Sequence, residues 1–327
     1  MTQDTSLAPR YSEEEVTHLW NLSWEELSKR AHHVHETYAQ AGVQKCQLLS
    51  IKTGGCPEDC GYCSQSAHYK TGLERDTFLD VESVRREAQV AKARGASRFC
   101  MGAAWRSLPE QKLDQLCALV KTVAEEGLEV CCTLGMATEE QLRVLKAAGL
   151  HAYNHNLDTS RRYYPSVVTT RTYDDRLATL RAAHKAGVSV CSGVILGLGE
   201  TEQDRSEVLR ELANLKPQPE SVPINLLVPI EGTPLARQAK TVPAEEILRA
   251  IAVARILMPQ TRIRLSAGRR SLSQDVQRQC FWVGANSVFL GERLLTTQNV
   301  PVEEDALFLK DFQQQPSPAP YGENSRL

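Results

Sequence analysis

The sequence predicts an α/β protein folded as a (β/α)8 barrel of the TIM type with an N-terminal helical extension. Two observations predict it: eight short β-rich runs alternate with helix-like segments, and several of those segments end in a glycine directly before the next run. Strands that alternate with helices pair in parallel, and eight of them can close into a barrel. An open, doubly wound sheet is the alternative.

Each kind of element has its own signature in the chain. The β-rich runs are residues 46–52, 98–102, 128–134, 151–156, 188–196, 222–228, 262–266 and 287–290. Glycine ends a helix because it adopts the left-handed backbone without a Cβ clash. The terminal glycines are Gly95, Gly127, Gly149, Gly187 and Gly284. Thr138 and Gln141 have the spacing of a capping box, which predicts the start of a helix.

The chain divides into three predicted parts. Residues 1–40 form the N-terminal helical extension, and residues 41–312 form the barrel. Residues 313–327 are rich in proline and glutamine, so we expect a disordered tail there.

Composition and charge argue against several classes of protein. The 327 residues are 42% hydrophobic and 24% charged, and the net charge of −2 gives no basic field for nucleic acid. The longest uncharged apolar run, residues 188–199, is too short to cross a membrane. Residues 1–10 lack the apolar core of a secretory signal. We therefore expect a cytoplasmic protein, and the presence of ten cysteines suggests metal binding or catalysis rather than disulfides.

The alternation of residues along the strands predicts a polar barrel interior. One face of each run is apolar and must pack on the surrounding helices, so the other face points inward. The inward residues include Arg98, Cys100, Glu129, Cys131, Asn154, Asn156, Asp158, Cys191, Arg262 and Arg264. Buried polar groups are costly unless they are paired. The interior is therefore expected to hold a polar ligand or cofactor.

A loop after the first run has the spacing Cys56-x3-Cys60-x2-Cys63. Three thiolates can bind three irons of a [4Fe–4S] cluster and leave the fourth iron open to a small molecule. A structural zinc site with His68 as the fourth ligand is the alternative. Tyr62, directly before the last cysteine, completes the pattern C-x3-C-x-aromatic-C, which is typical of radical SAM (S-adenosylmethionine) enzymes.

Two further signals agree with this interpretation. Residues 193–200 carry the spacing G-x-I-x-G-x-x-E, which includes Ile195 and is similar to the segment near the adenine of SAM in radical SAM enzymes. Cys100, Cys131 and Cys191 lie on three different strands with inward parity. One buried cysteine is usually a small core residue, but three that converge could hold a second cluster. The remaining cysteines, Cys46, Cys117, Cys132 and Cys280, are interpreted as structural.

Six blocks between residues 45 and 298 resemble the biotin synthase family of the radical SAM superfamily. They are CPEDCGYCSQS at 56–66, MGAAW at 101–105, YNHNLDT at 153–159, CSG at 191–193 with GLGET at 197–201, VPIN at 222–225 and RLSAGR at 264–269. The resemblance implies an enzyme that inserts sulfur into dethiobiotin to form biotin by radical chemistry. It also implies a flavodoxin- or ferredoxin-type electron donor and a homodimer.

The resemblance further implies roles for individual residues. Cys56, Cys60 and Cys63 would hold the [4Fe–4S] cluster that binds SAM, and Cys100, Cys131, Cys191 and Arg264 would hold a [2Fe–2S] cluster. The SAM contacts would be Tyr62, Asn156, Asp158 and Ile195. The dethiobiotin contacts would be Asn156, Asn225, Lys52, Thr296 and Thr297. The role of Arg264 rests on the resemblance alone, because a protonated guanidinium has no lone pair to offer a metal.

Two rival functions remain open from the sequence. One is another radical SAM enzyme, either a sulfur inserter similar to lipoyl synthase or a methylase. The other is a non-catalytic scaffold that binds zinc. Product analysis with dethiobiotin distinguishes the first rival from the sulfur insertion that the resemblance implies. Metal analysis distinguishes the second rival from an iron–sulfur enzyme.

Overall fold

The computed structural model describes residues 10–314, which fold around a closed barrel of parallel strands. The strands are β1 (Gln44–Lys52), β2 (Arg98–Ala103), β3 (Glu129–Thr133), β4 (Leu150–Asn154), β5 (Ser189–Cys191), β6 (Val194–Leu196), β7 (Ser221–Leu226), β8 (Arg262–Leu265) and β9 (Ser287–Leu290). Neighbouring strands pair in chain order, and β9 pairs with β1. The barrel closes where Cys191 of β5 pairs with Ser221 of β7. The predicted (β/α)8 fold is confirmed.

The fifth position of the barrel differs from the prediction, because β5 and β6 share it. A single run was expected over residues 188–196, but the strand breaks at Ser192 and Gly193. The backbone of β7 approaches so closely here that a Cβ on Gly193 would lie 2.0 Å from the Pro223 carbonyl oxygen. Pro223 also has no amide hydrogen to donate to a continuous ladder. The break therefore follows from the local packing of glycine against proline.

Helices surround the barrel and cover its outer face. They are α1 (Glu13–Trp20), α2 (Trp24–Tyr38), α3 (Val81–Ala93), α4 (Leu113–Glu125), α5 (Glu139–Ala147), α6 (Tyr173–Lys185), α7 (Glu202–Asn214), α8 (Ala244–Leu257), α9 (Gln274–Val283) and α10 (Val302–Gln314). The predicted capping box of α5 is confirmed. The Thr138 hydroxyl accepts from the Gln141 amide at 3.2 Å, and the Gln141 side chain accepts from the Thr138 amide at 3.1 Å.

The two helices before β1 pack against the outside of α7, α8 and α9. Arg249 of α8 donates to the carbonyls of Trp20 and Leu22 at 2.6 and 2.8 Å, which satisfies carbonyls at the end of α1. His32 of α2 stacks on Trp282 of α9 with ring centroids 4.3 Å apart. None of the helices within residues 10–314 has the length and apolar character needed to cross a membrane.

Helix α10 was not predicted, because the sequence after residue 299 has no clear periodic pattern. It is held by long-range contacts instead: the carboxylate of Asp305 pairs with the buried guanidinium of Arg269. The ring of Phe308 packs against Phe281 with centroids 5.9 Å apart. The predicted tail boundary at residue 313 therefore falls inside a helix. Residues 315–327 of that tail lie outside the described residues.

The two faces of the strands form separate packing groups, as the alternation predicts. Phe99, Met101 and Cys132 belong to the large apolar core between the strands and the helices. Cys100 and Cys131, their neighbours in sequence, belong to a small group inside the barrel. The predicted parity of β2 and β3 is confirmed, and it directs one of two adjacent cysteines inward and the other outward.

Candidate active site

A cavity of about 330 Å³ lies inside the barrel and opens at the carboxyl ends of the strands. Active sites of (β/α)8 barrels occupy this end, because the loops that follow the strands converge there. Nearly all residues predicted for a site line the cavity: Cys56, Cys60, Tyr62, Cys63, Cys100, Cys131, Asn156, Asp158, Cys191, Ile195, Asn225, Arg264, Thr296 and Thr297. The structure therefore gathers two separate groups of thiols around one space.

The loop after β1 folds back on itself and turns its three thiols toward the cavity. The Cys56 amide donates to the Gln65 carbonyl at 2.8 Å, and the Cys63 amide donates to the Cys60 carbonyl at 2.9 Å. Burial raises the pKa of the Cys60 thiol to about 11 and that of Cys63 to about 12. These thiols stay protonated at neutral pH until a metal with high affinity for thiolate displaces the protons.

The geometry of this loop argues against a single zinc ion. The Nε2 atom of His68 lies 3.0 Å from the Pro57 carbonyl oxygen, and the ring is exposed. Within residues 10–314, neither His68 nor the loop thiols belong to a group of three or more ligand atoms close enough together to bind one metal ion. Three thiols spread around a cavity suit a cluster of several irons better than one tetrahedral ion.

Asp158 connects the end of β4 to the cysteine loop. Its Oδ2 atom accepts a hydrogen bond from the Tyr62 hydroxyl at 2.8 Å and another from Arg176 Nη2 at 2.5 Å. The carboxylate is 1% exposed, so both partners compensate a buried charge. Asp158 also has a φ of 67°, which is unusual for a residue with a side chain and is often found at functional sites.

Arg176 is a site residue that the sequence analysis missed. It lies on α6, 18 residues after Asp158, and donates as well to the Asn156 carbonyl at 2.5 Å and to the Tyr164 hydroxyl at 2.8 Å. An arginine within an amphipathic helix ordinarily faces solvent, so nothing local indicates this role. The structure shows that it supports the segment that carries Asn156 and Asp158.

The two predicted asparagines are oriented by the backbone around them. The Asn156 Oδ1 atom accepts from the Gly193 amide at 3.0 Å. Asn225 donates to the Val194 carbonyl at 2.9 Å and accepts from the Ala267 amide at 3.2 Å. An amide side chain has two hydrogens and two acceptor lone pairs, so each asparagine retains capacity for a ligand.

Thr296 and Thr297 form part of the cavity wall, after β9. The Thr296 hydroxyl is 2.9 Å from the hydroxyl of Ser64, which follows the last loop cysteine. The Thr297 carbonyl accepts from the Leu294 amide at 2.9 Å. This wall is therefore tied to the cysteine loop.

Lys52 is the predicted site residue that the structure separates from the others, because it does not line the cavity. Its ammonium donates to the carbonyls of Gly54 and, at 2.9 Å, Ala104. The pairing of β1 with β2 becomes irregular between Ser50 and Lys52, and such an irregularity redirects a side chain. In this structure Lys52 holds the loop backbone rather than facing a ligand.

Cys100, Cys131 and Cys191 pack together inside the barrel, beside Arg264. The Arg264 Nη1 atom lies 4.0 Å from the Cys191 sulfur, and Nε donates to the Ser287 hydroxyl at 3.0 Å. Arg264 is 1% exposed, and in the described part of the chain no carboxylate forms an ion pair with it. A buried guanidinium without a carboxylate calls for another anion, such as thiolate or an anionic cluster.

The pKa values of the inner thiols are shifted in different directions. A hydrogen bond with Cys131 lowers the pKa of Cys191 to about 6; burial opposes this shift, and the positive charges of Arg264 and Arg98 assist it. A hydrogen bond with Cys131 also lowers the pKa of Cys100. Hydrogen bonding with Cys100 and Cys191, together with burial, raises the pKa of Cys131. The shifts thus favour thiolate at Cys191 and Cys100, whereas burial raises the pKa of Cys46.

Cys46 was grouped with the structural cysteines, but the structure places it among the inner thiols. Its sulfur accepts from Arg264 Nη2 at 3.2 Å. Cys46 shares a face of β1 with Leu48, and the register with β2 pairs Leu48 with inward-facing Cys100. Cys132 and Cys280, in contrast, lie in the outer core.

A layer of charged side chains closes the amino end of the barrel. Arg98 is wholly buried and donates from Nε to Glu129 at 2.9 Å, and it also pairs with Glu220. Glu220 binds the His151 ring at 3.0 Å, which raises the pKa of His151. This layer separates the inner thiols from solvent at that end.

Comparison with known proteins places this site in a family. Residues 50–212 match the family described as "Radical SAM superfamily", and residues 223–314 match the "Biotin and Thiamin Synthesis associated domain". A relative from Hyphomonas neptunium named "Biotin synthase" is 53% identical over 94% of this chain and 96% of its own length. Another from Ehrlichia canis with the same name is 51% identical over 89% of this chain and 90% of its own.

A solved structure supports the fold. The X-ray structure of the FeFe-hydrogenase maturase HydG from Carboxydothermus hydrogenoformans superposes with a TM-score of 0.78 at 20% identity, covering 92% of this chain and 75% of that one. The sequence identity to the two curated relatives, over nearly their whole length, is decisive. This chain belongs to the biotin synthase family of the radical SAM superfamily.

Proposed function

We propose that this enzyme converts dethiobiotin to biotin by inserting sulfur, with SAM and a [4Fe–4S] cluster at the cysteine loop and a [2Fe–2S] cluster at the inner thiols. The observation that carries the proposal is the arrangement of two thiol groups around one cavity. A single cluster would need only one of them. Two groups at different depths support one site for generating a reactive species and another for supplying sulfur.

The residues fit both proposed clusters. The loop offers three thiols, which leaves room for a small-molecule ligand on a fourth iron. The inner group offers Cys100, Cys131 and Cys191 beside Arg264, a buried cation that forms no ion pair with a carboxylate of the described residues and would stabilise an anionic cluster. When bound, the [4Fe–4S] cluster and SAM would supply the radical that removes hydrogen from unactivated carbon, and the [2Fe–2S] cluster would supply the sulfur atom.

The protein's contribution at the outer end is to orient SAM. Tyr62, Asp158 and Arg176 form a buried hydrogen-bonded chain that fixes the cysteine loop relative to the end of β4. Asp158 retains acceptor capacity for a ribose hydroxyl, since a carboxylate accepts about four hydrogen bonds. Asn156 and the backbone around Ile195 line the same part of the cavity.

Dethiobiotin would occupy the space between SAM and the inner thiols. The free donor and acceptor of Asn225 and Asn156 suit its ureido ring, which offers both an N–H and a C=O. Thr296 and Thr297 are the candidates for its carboxylate end. Because Lys52 does not line the cavity, its contact with dethiobiotin requires the loop carbonyls of Gly54 and Ala104 to release it.

Anaerobic reconstitution tests the proposal. The chain with iron, sulfide, SAM, a reductant and dethiobiotin should form biotin, measured by mass spectrometry, and should contain iron and acid-labile sulfide. Zinc without sulfide would favour a scaffold instead, and a different sulfur-inserted or methylated product would favour another radical SAM enzyme. The flavodoxin- or ferredoxin-type donor and the homodimer are further proposals. Turnover with each purified donor and sedimentation of the reconstituted protein test them.

A further inference from the structure

We infer that Arg171 sets the reduction potential of the [4Fe–4S] cluster at the cysteine loop, because it places a buried positive charge beside Cys60. The inference rests on the proposed function, since it assumes that this cluster is bound by the loop. It concerns a residue that belongs to none of the predicted ligand or contact sets.

The backbone around Arg171 is attached to the cysteine loop at the position of Cys60. The amides of Thr169 and Thr170 donate to the Asp59 carboxylate at 2.9 and 3.1 Å. Asp59 directly precedes Cys60 in the chain, and Arg171 directly follows Thr170. The segment before α6 and the loop are therefore held together where the thiol and the guanidinium meet.

The guanidinium of Arg171 lies between the loop and the cavity. Its Nη2 atom is 3.8 Å from the Cys60 sulfur, and the residue lines the cavity. The side chain is only 8% exposed, so solvent and salt screen its charge weakly. The buried Nε atom has no hydrogen-bond partner among residues 10–314. The guanidinium thus retains a donor that can bind a sulfur atom of a cluster.

The positive charge of Arg171 is only partly compensated. In the described part of the chain, its ion pair is with Glu58, whose Oε2 atom lies 3.9 Å from Nε. The same carboxylate also pairs with Arg106 at 3.6 Å, so one negative charge faces two guanidinium groups. Arg176, in contrast, is paired at 2.5 Å with the carboxylate of Asp158. An excess of positive charge therefore remains beside the loop.

A positive charge at this position favours the reduced state of the cluster. Reduction adds one negative charge to a cluster that is already held by three thiolates. The reduction potential of an iron–sulfur cluster depends on net charge, on hydrogen bonds to its sulfur atoms and on solvent exposure. Arg171 acts through the first two, and both raise the potential. Its role is to make transfer of an electron from the donor to the loop cluster more favourable.

The test measures the midpoint potential of the loop cluster in the full-length, reconstituted chain without SAM, by redox titration followed by electron paramagnetic resonance. Arg171→Gln removes the charge and should make reduction about tenfold less favourable, which is a shift of about 59 mV to more negative potential. Arg171→Lys keeps the charge and should keep most of the potential. Arg106→Gln is the matched control, because Arg106 pairs with the same carboxylate but is 44% exposed and does not line the cavity. Its potential should stay close to that of the parent.

An unchanged potential in Arg171→Gln, or an equal shift in Arg106→Gln, would overturn the inference. A lower affinity for SAM without any change in potential would also overturn it, because the guanidinium would then serve SAM rather than the cluster. Iron and sulfide analysis shows whether each variant holds its cluster.

Glu58→Gln provides a second test that does not depend on the stability of Arg171→Gln. It removes the compensating negative charge and leaves Arg171 in place, so the potential should shift in the opposite direction, to a more positive value. An unchanged or more negative potential in this variant would contradict the inference. If the parent chain binds no [4Fe–4S] cluster at the loop, the proposed function itself fails. A parent cluster whose potential does not depend on Arg171 removes only the inference.

Discussion

The hydroxyl of Tyr62 donates a hydrogen bond of 2.8 Å to the carboxylate of Asp158. Tyr62 lies between two loop cysteines, whereas Asp158 follows β4, so this one bond joins the two parts of the proposed SAM site. Tyr62→Phe should lower the affinity for SAM about tenfold, since a hydrogen bond to a charged group contributes roughly 1.5–3 kcal/mol. Calorimetric titration of SAM measures it. Tyr38→Phe, an exposed tyrosine that does not line the cavity, is the control and should bind SAM normally.

Asp158→Asn should weaken SAM binding more than dethiobiotin binding. The substitution keeps the size of the side chain but removes the negative charge that compensates Arg176. Loss of a buried ion-pair partner costs about 3–5 kcal/mol of stability, so urea unfolding should be measured alongside ligand titration. Equal weakening of both ligands in a folded variant would place Asp158 outside the SAM site.

Cys131→Ser and Cys132→Ser should have opposite consequences, although the residues are adjacent. Cys131 faces the inner thiols and Cys132 faces the outer core. We expect Cys131→Ser to abolish biotin formation and Cys132→Ser to retain most of it, with some loss of stability from a buried hydroxyl. A biotin assay on both folded variants tests this expectation. Equal loss of activity in the two variants would contradict the assignment of Cys131 to the barrel interior and Cys132 to the outer core.

The two thiol groups should be separable by activity. Cys60→Ser should abolish both reductive cleavage of SAM and formation of biotin, because the loop is the proposed site of SAM. Cys191→Ser should retain slow SAM cleavage but form no biotin. Assays for 5′-deoxyadenosine and biotin on the same samples distinguish the two variants. A full turnover of biotin by Cys191→Ser would show that the inner thiols are core residues only.

Glu220→Gln should destabilise the barrel in a way that depends on pH. Burial alone would raise the pKa of Glu220, but the hydrogen bond from His151 and the charge of Arg98 together lower it below its ordinary value of 4.5. The stabilisation is therefore present above pH 4.5 and is lost as the pH falls through the lowered pKa.

At pH 7 the free energy of unfolding of the Glu220→Gln variant should be about 2 kcal/mol lower than that of the parent. Urea unfolding at pH 7 and at several pH values below 4.5 measures the free energy of unfolding of variant and parent. The difference between the two should become smaller as the pH falls. Glu139→Gln, which removes an exposed pair with Arg143, should be nearly silent. A constant difference at every pH would show that the Glu220 carboxylate is not the source of the stabilisation.

The barrel and its inward thiols could be predicted because they depend on local patterns. Alternation along one strand is enough to separate Cys131 from Cys132, and no knowledge of partners is needed. The capping box at Thr138 is local in the same sense. These features require only that neighbouring residues in the chain adopt regular geometry.

The features that escaped prediction depend on contacts between distant segments. Arg176 reaches Asp158 from a helix, and α10 is held by the pair of Asp305 with Arg269. The break in the fifth strand arises where Gly193 meets Pro223 of another strand. The facing of Cys46 follows from the register of β1 with β2. Pairing partners and register are properties of the assembled barrel.

Among the described residues, the charged layer of Arg98, Glu129 and Glu220 covers the amino end of the barrel, while the cavity opens at the carboxyl end. A cluster that reaches the inner thiols through this opening passes the cysteine loop, where SAM and dethiobiotin would also enter. Under the proposed function, the inner cluster must then be installed before either ligand arrives. A catalytic cycle that consumes its sulfur can be replenished only after the product has departed, so repair and turnover compete for the same passage.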